Sequence, residues 1–498
     1  MKVAVVGGGS AGWLTATMLD AMLNGRARPK RVDITLIESP RIPRIGVGES
    51  TVPTLLNTLR LLGISERDFL READATFKQG IKFAGWRSDP SHSYYHTFDR
   101  YPPGHIDMLG LSWAASQRNI PFAYYVSAQP SLCDMDKAPK RLGDPDYAGA
   151  MAYAFHMDAE KFAGYLAKVG RERGIEHVQD DVVDVALSGE GRIDSITLAA
   201  GASLAADWFI DCTGFARVLT SRLPGFAYHD FADWLICDRA VAMQVPREDG
   251  STDPIRPYTT ATALDAGWAW DIGLRNRRGT GYVYSSQHIS DDEAEATLRA
   301  REMPASANLQ TRLLRFRAGR LDKAWIGNCI SIGLSGGFVE PMESTGIYLV
   351  EYAARTFAEL FPLFGRNDLL ADRFNRLMAD RYDELIDFIN VHYVLSDRRD
   401  TPFWRDATAP SRMTERVRER VALWQDKMIS ASDFANSHQL FGYQNYEFCV
   451  YGLDAPSRTL ARGTQAIAPI PAVQRTYEKL KDALPDHRHY IAEIDRGM

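Results

Sequence analysis

The chain has 498 residues, 45% of them hydrophobic and 24% charged, with a net charge of −6. That length predicts more than one domain-sized unit, with core enough to need neither disulfides nor structural metal. The acidic balance argues against a nucleic-acid surface and no apolar run reaches the ~18 residues of a membrane span, so a cytoplasmic protein without membrane or nucleic-acid partner is expected.

Residues 2–6 read as a buried strand, too short to be a signal-peptide core, that runs into Gly7-Gly8-Gly9-Ser10-Ala11-Gly12. Trp13, Leu14, Ala16, Met18, Leu19 and Met22 then recur at helical spacing. Residues 31–38 form a second strand ending on Glu38. This βαβ opening predicts an α/β fold with a doubly wound parallel sheet. Residues 152–174 read as helix, and 181–199 as a hairpin turning at Gly189-Glu190-Gly191. A further buried strand, 208–211, precedes Thr213-Gly214, and 239–287 is strand-rich. After Gly346 helical periodicity takes over, at 347–396 and again at Val417, Val421 and Trp424. The expected organisation is an α/β body at 1–346, with inserted elements at about 77–150 and 239–287, and a mainly helical cap at 347–498.

The five cysteines (133, 212, 237, 329, 449) include no CxxC pair, and the eleven histidines show no HExxH or paired spacing. Neither a disulfide framework nor a metal site is expected. His487 and His489 stand in a polar tail and receive no role.

Gly7, Gly9 and Gly12 form G-x-G-x-x-G between strand and helix. Such glycines permit the tight turn, the close approach of a pyrophosphate and close helix packing, with the helix dipole facing the phosphates. Glu38, ending the next strand, is placed to accept from a ribose hydroxyl. A second glycine cluster at 45–51 and a strand entering a glycine-rich loop at 325–338 suit a long flavin dinucleotide better than NAD. The sequence has one such fingerprint, so its reducing equivalents are expected from outside.

Several longer segments resemble the flavin-dependent tryptophan halogenases. They are Gly7–Trp13, Gly46–Pro53, Phe77–Trp86, Gly267–Ile272 (similar to the W-x-W-x-I-P signature), Phe338–Tyr348, Asp387–Tyr393 and Asp400–Trp404. The resemblance implies a Rossmann-type FAD-binding body of the flavin monooxygenase type, with strand-rich substrate elements and a helical C-terminal cap. It implies FAD, reduced by a separate NAD(P)H-dependent flavin reductase, and chloride or bromide as co-substrate. It assigns Gly7, Gly9, Ser10, Ala11, Gly12, Glu38, Gly48, Glu49, Ser50, Asp211, Gly333 and Leu334 to the cofactor. Thr345 and Gly346 match the halide positions, and His96 and Phe98 the rings that sandwich a small aromatic substrate.

By the same resemblance Lys78 and Glu343 are catalytic. An ammonium at Lys78 would hydrogen-bond hypohalous acid or form a haloamine. A carboxylate at Glu343 would oppose the positive charge on the ring and take up its proton; spacing alone does not separate it from Glu340. Trp268 and Trp270 share one face if their segment is a strand, and stand as signature residues.

Two departures bear on substrate. Gly273 stands where the signature has proline, and residues 442–452 do not match the family's amino-acid-binding positions one by one. Indole, an indole derivative and tryptophan all remain open, as does a homodimer. The alternatives are a flavin-dependent hydroxylase of the same fold and a non-catalytic flavin-binding protein.

Overall fold

The computed structural model describes residues 1–25, 30–42, 48–102, 107, 109–116, 119–247, 253–362, 368–434, 439–455 and 470–496. They pack as two units, each built from three stretches of chain: Met1–Ala75, Met157–Phe231 and Phe316–Tyr382 in the first, and Thr76–His156, Ala232–Arg315 and Asp383–Met498 in the second. The units interleave along the chain, whereas the organisation expected from the sequence is a body at 1–346 with inserted elements at about 77–150 and 239–287, followed by a cap at 347–498.

In the first unit the strand Lys2–Val6 lies between Asp33–Glu38 and Trp208–Asp211, parallel to both. Glu176–Gln179 extends the sheet on one side and Cys329–Ser331 on the other, again in parallel. Trp325–Ile326 closes it as an antiparallel edge. Parallel strands carry cover on both faces, which is why Val3, Ala4, Val5 and Val6 are buried without alternation. Ala4, Val6, Ile37 and Phe209 share a core with Ile193, Ile196 and Leu198 of the hairpin strand Ile193–Leu198, which pairs with Val182–Leu187 as the turn residues predict. The helix Ser10–Leu19 packs against Ala159–Glu172 and Gly346–Glu359.

The segment read as one helix from 152 opens instead as a strand, Ala154–Asp158, before the helix Ala159–Glu172. All five strand residues are buried, and so short an apolar run shows no period that separates strand from helix. Asp158 ends it by accepting from the Glu160 and Lys161 amides as the helix cap.

The second unit holds a seven-stranded sheet in the order Thr311–Arg315, Arg239–Pro246, Arg277–Tyr284, Gly267–Gly273, Thr259–Leu264, Gly80–Ala84, Ser93–Thr97. Only the Thr259–Leu264 pairing with Gly80–Ala84 is parallel. The helices Pro402–Ala407, Glu415–Leu423, Tyr443–Gly452, Ile470–Leu480 and His487–Asp495 belong to this unit. The class is α/β, with helices concentrated late in the chain. All five cysteines are buried and unbridged. No described helix is long and apolar enough to cross a membrane.

Candidate active site

The first unit carries the residues expected at the nucleotide. Gly7 has φ +118°, and a Cβ there would stand 2.3 Å from the Cys212 carbonyl oxygen. One on Gly12 would stand 1.8 Å from the Gly7 oxygen, so helix and turn touch backbone to backbone. Gly9 has nothing within 4 Å of its Cβ position, and it fronts the helix Ser10–Leu19, whose N-terminus has no side-chain cap. The Ser10 hydroxyl donates to the Ala159 carbonyl at 3.0 Å. Gly333, with φ +71°, brings the late loop that also carries Leu334 onto this helix: a Cβ on it would lie 2.9 Å from the Ala11 Cβ. Glu38 packs over Gly8, and its Oε2 is 2.9 Å from His177 Nε2. An uncapped helix end, open space at Gly9 and an acid at the next strand's end fit a dinucleotide.

Gly48, Glu49 and Ser50 form a short strand. Burial pushes the Glu49 carboxyl up to about 7. Gly46 and Val47, quoted for the family motif, lie outside the described residues. Asp211 directs its carboxylate inward: Oδ1 accepts from the Thr213 amide and hydroxyl and from the Ser335 hydroxyl. Its Oδ2 accepts from the Leu219 and Thr220 amides and the Thr220 hydroxyl. These bonds tie the loops after two neighbouring sheet strands together.

Glu343 ends the turn Pro341–Glu343 and is buried, as is its rival Glu340. Ser344 follows at φ +63°, and its hydroxyl donates to Ser50 Oγ at 2.9 Å. Thr345 and Gly346 open the helix Gly346–Glu359, which has no side-chain cap. The Thr345 hydroxyl is buried without a hydrogen-bond partner among the described residues, and the Cβ position of Gly346 faces open space.

Lys78 lies in the second unit, on the strand Thr76–Lys78, and is wholly buried. Its Nζ stands 5.2 Å from the Phe98 ring centroid. The strand pairs antiparallel with Ala154–Asp158, setting Lys78 opposite Ala154 and Thr76 opposite His156. Burial, with the positive charge of Lys78 nearby, holds His156 neutral well below the usual histidine range. The Thr76 hydroxyl donates to the Gly273 carbonyl at 2.6 Å, so the residue that departs from the signature touches the lysine's own strand. Trp268 and Trp270 share a face of the strand Gly267–Gly273 with ring centroids 6.4 Å apart. Trp270 lies across Gly281, where any Cβ would overlap its ring.

His96 sits on the strand Ser93–Thr97, its ring 5.5 Å from Phe388, 5.7 Å from Phe448 and 6.1 Å from Phe441. Its Nε2 meets Asn445 Nδ2 at 3.0 Å. Asn445 and Phe448 come from the helix Tyr443–Gly452, inside the segment that resisted matching. On the same helix Glu447 meets Arg100 at 2.5 Å, and Arg100 also reaches Asp107 at 2.7 Å. Burial pushes the Glu447 carboxyl up to about 8 against the pull of Arg100. Sequence reasoning missed this cluster because Arg100 and Glu447 lie 347 positions apart. It also missed His487, which is fully buried rather than in a solvated tail.

A family model described as tryptophan halogenase matches residues 2–469. The chain is similar to the tryptophan 7-halogenase of Lentzea aerocolonigenes, with 35% identity over 99% of this chain and 98% of that protein. Its fold is similar to a solved tryptophan halogenase from Shewanella frigidimarina, with TM-score 0.93 and 32% identity over 100% of this chain and 98% of that one. It is also similar to a solved flavin-dependent halogenase from Xanthomonas campestris, with TM-score 0.89 and 29% identity over 99% and 98%.

Proposed function

The chain belongs to the tryptophan halogenase family, and we propose that it is a two-component, flavin-dependent halogenase of an electron-rich aromatic: indole, an indole derivative or tryptophan. When bound, reduced FAD from a separate NAD(P)H-dependent reductase supplies, with oxygen, the oxidising power that converts chloride or bromide to hypohalous acid. Gly7, Gly9, Ser10, Ala11, Gly12, Glu38, Gly48, Glu49, Ser50, Gly333 and Leu334 would hold that cofactor. Asp211 supports it indirectly, by bracing the loops at 213–220 and 335.

Thr345 and Gly346 offer halide the amide groups and positive dipole end of a helix start. His96 and Phe98 stack on the substrate ring. The Lys78 ammonium hydrogen-bonds hypohalous acid and sharpens its electrophilic halogen. Glu343 opposes the cationic ring and takes its proton. The inserted elements at about 77–150 and 239–287 and part of the helical segment 347–498 serve the substrate.

The observation that carries this reading is Lys78. Lysine is almost never fully buried unless its charge is provided for. Here it has no exposure at all, and its ammonium lies over an aromatic ring, a contact that steadies a cation without consuming a proton acceptor. The test is an assay with FAD, a flavin reductase, NADH, bromide or chloride and a panel of indoles, read by mass spectrometry. Halogenated product that depends on both reductase and halide is expected. Hydroxylated product would transfer the assignment to the hydroxylase alternative, and flavin turnover without product to the non-catalytic one.

A further inference from the structure

The last described helix, His487–Asp495, begins against the strand that carries Lys78. The Phe77 amide donates to His487 Nε2 at 3.0 Å, and His487 Nδ1 stands 2.8 Å from the Ile255 carbonyl. A carbonyl only accepts and an amide only donates, so both bonds form in one tautomer alone: neutral imidazole with its proton on Nδ1. Burial agrees, pushing His487 down to about 4.

Two residues on, the Gln79 amide donates to the Pro257 carbonyl at 2.7 Å. The amides on either side of Lys78 in the chain are thus both anchored. From the strand's first residue, Thr76 holds the Gly273 carbonyl. The C-terminal segment is itself fastened: the His487 amide donates to Asp136 O at 2.8 Å, the Ala138 amide to Pro485 O at 3.0 Å, and Arg488 Nε to Asp253 O at 2.6 Å. Leu480 and Leu484 pack with Leu132 and Met151.

We propose that His487, with Thr76, is a positioning residue for Lys78: it locks the backbone of Phe77 so that the lysine side chain leaves its strand at one fixed point and angle. This rests on the reading of Lys78 as catalytic. A lysine has four rotatable side-chain bonds, so a small shift of its Cα is amplified at Nζ, and a misplacement of about 1 Å in a reacting group costs up to ~100-fold in rate.

The test uses the full chain and four variants. His487→Asn keeps a donor near Nδ1 for Ile255 but loses the acceptor at Nε2. His487→Gln restores an acceptor near Nε2. Thr76→Val removes the other tether while leaving the C-terminal segment untouched, and Lys78→Ala is the reference. Hydrogen exchange of the peptide covering 76–79, in protein without flavin, should quicken about tenfold in His487→Asn and stay near the parent in His487→Gln. Halogenation of indole should lose about ten- to a hundredfold in kcat in His487→Asn and Thr76→Val, with KM within about twofold and reoxidation of reduced FAD unchanged. His487→Gln should recover most of that kcat.

Normal kcat in a folded His487→Asn variant, or a change in KM alone, overturns the proposal. So does faster exchange without loss of kcat. If His487→Asn does not fold, Thr76→Val decides: normal kcat there overturns it. If Lys78→Ala itself keeps its product, the catalytic assignment of Lys78 falls and the positioning role with it. Lys78→Ala inactive beside a normal His487→Asn removes the positioning role alone.

Discussion

Lys78 is fully buried with its ammonium over the Phe98 ring, and its removal separates chemistry from architecture. Lys78→Ala should abolish halogenated product while FAD binding and oxygen-dependent reoxidation of reduced flavin stay near normal, because the glycine turn, Glu38 and the 333–346 loop belong to the other packing unit. Loss of FAD binding, measured by flavin fluorescence, would make the lysine structural. Glu343→Gln should lower kcat by about a hundredfold, since an amide neither accepts the ring proton nor opposes its charge. Residual product is expected, as water also takes the proton. Rapid-quench product yields with an indole check this.

Glu351 offers a stability test on the helix that Thr345 and Gly346 open. Burial raises its carboxyl to about 7, and the Thr54 hydroxyl donates to its Oε2 at 2.9 Å. An unfolded glutamate releases its proton near pH ~4.3. Between those values the folded state binds more protons, so this group's contribution is complete below pH ~4.3 and declines as pH rises towards 7, by at most about 1.4 kcal/mol per unit. Glu351→Gln keeps an acceptor for Thr54 and removes the titration. It should match the parent near pH ~4.5 and exceed it by roughly 1–3 kcal/mol at pH ~8, as denaturant midpoints would show.

At the scale of elements, the opening strand–turn–helix was legible because its punctuation is local. Gly7, Gly9 and Gly12 stand five residues apart at most, and the tight turn at Gly7 and the close packing at Gly12 are in the structure. The hairpin at 182–198 was legible for the same reason. The strand Ala154–Asp158 was not, because five buried residues fit either period until a partner strand, Thr76–Lys78, is in place. Asp211 shows the same limit at a strand end. The resemblance assigns it to the cofactor, and six hydrogen bonds to three loop segments occupy its carboxylate. Asp211→Ala should therefore destabilise the first unit by roughly 3–5 kcal/mol, since it orphans buried amides and hydroxyls together. Asp211→Asn should lose less. Thermal unfolding followed by circular dichroism measures both; an unaffected Asp211→Ala midpoint would restore the carboxylate to a role in binding.

For the whole molecule, one dinucleotide fingerprint in the sequence predicts that NADH alone reduces bound FAD negligibly, and that a flavin reductase restores turnover. Anaerobic bleaching of the flavin absorbance measures this, and fast reduction by NADH without a partner enzyme would favour the hydroxylase reading. The sequence by itself determined the α/β class, the turn between strand and helix, and the family, because these are written in short windows where glycine, period and motif spacing act. Tertiary structure alone decided that the chain enters each unit three times, that Glu447 meets Arg100, and that His487 reaches Phe77. Those contacts join residues hundreds of positions apart. A polar residue at the end of the chain reads as solvated until packing removes its water, and only the fold shows which amide takes the water's place.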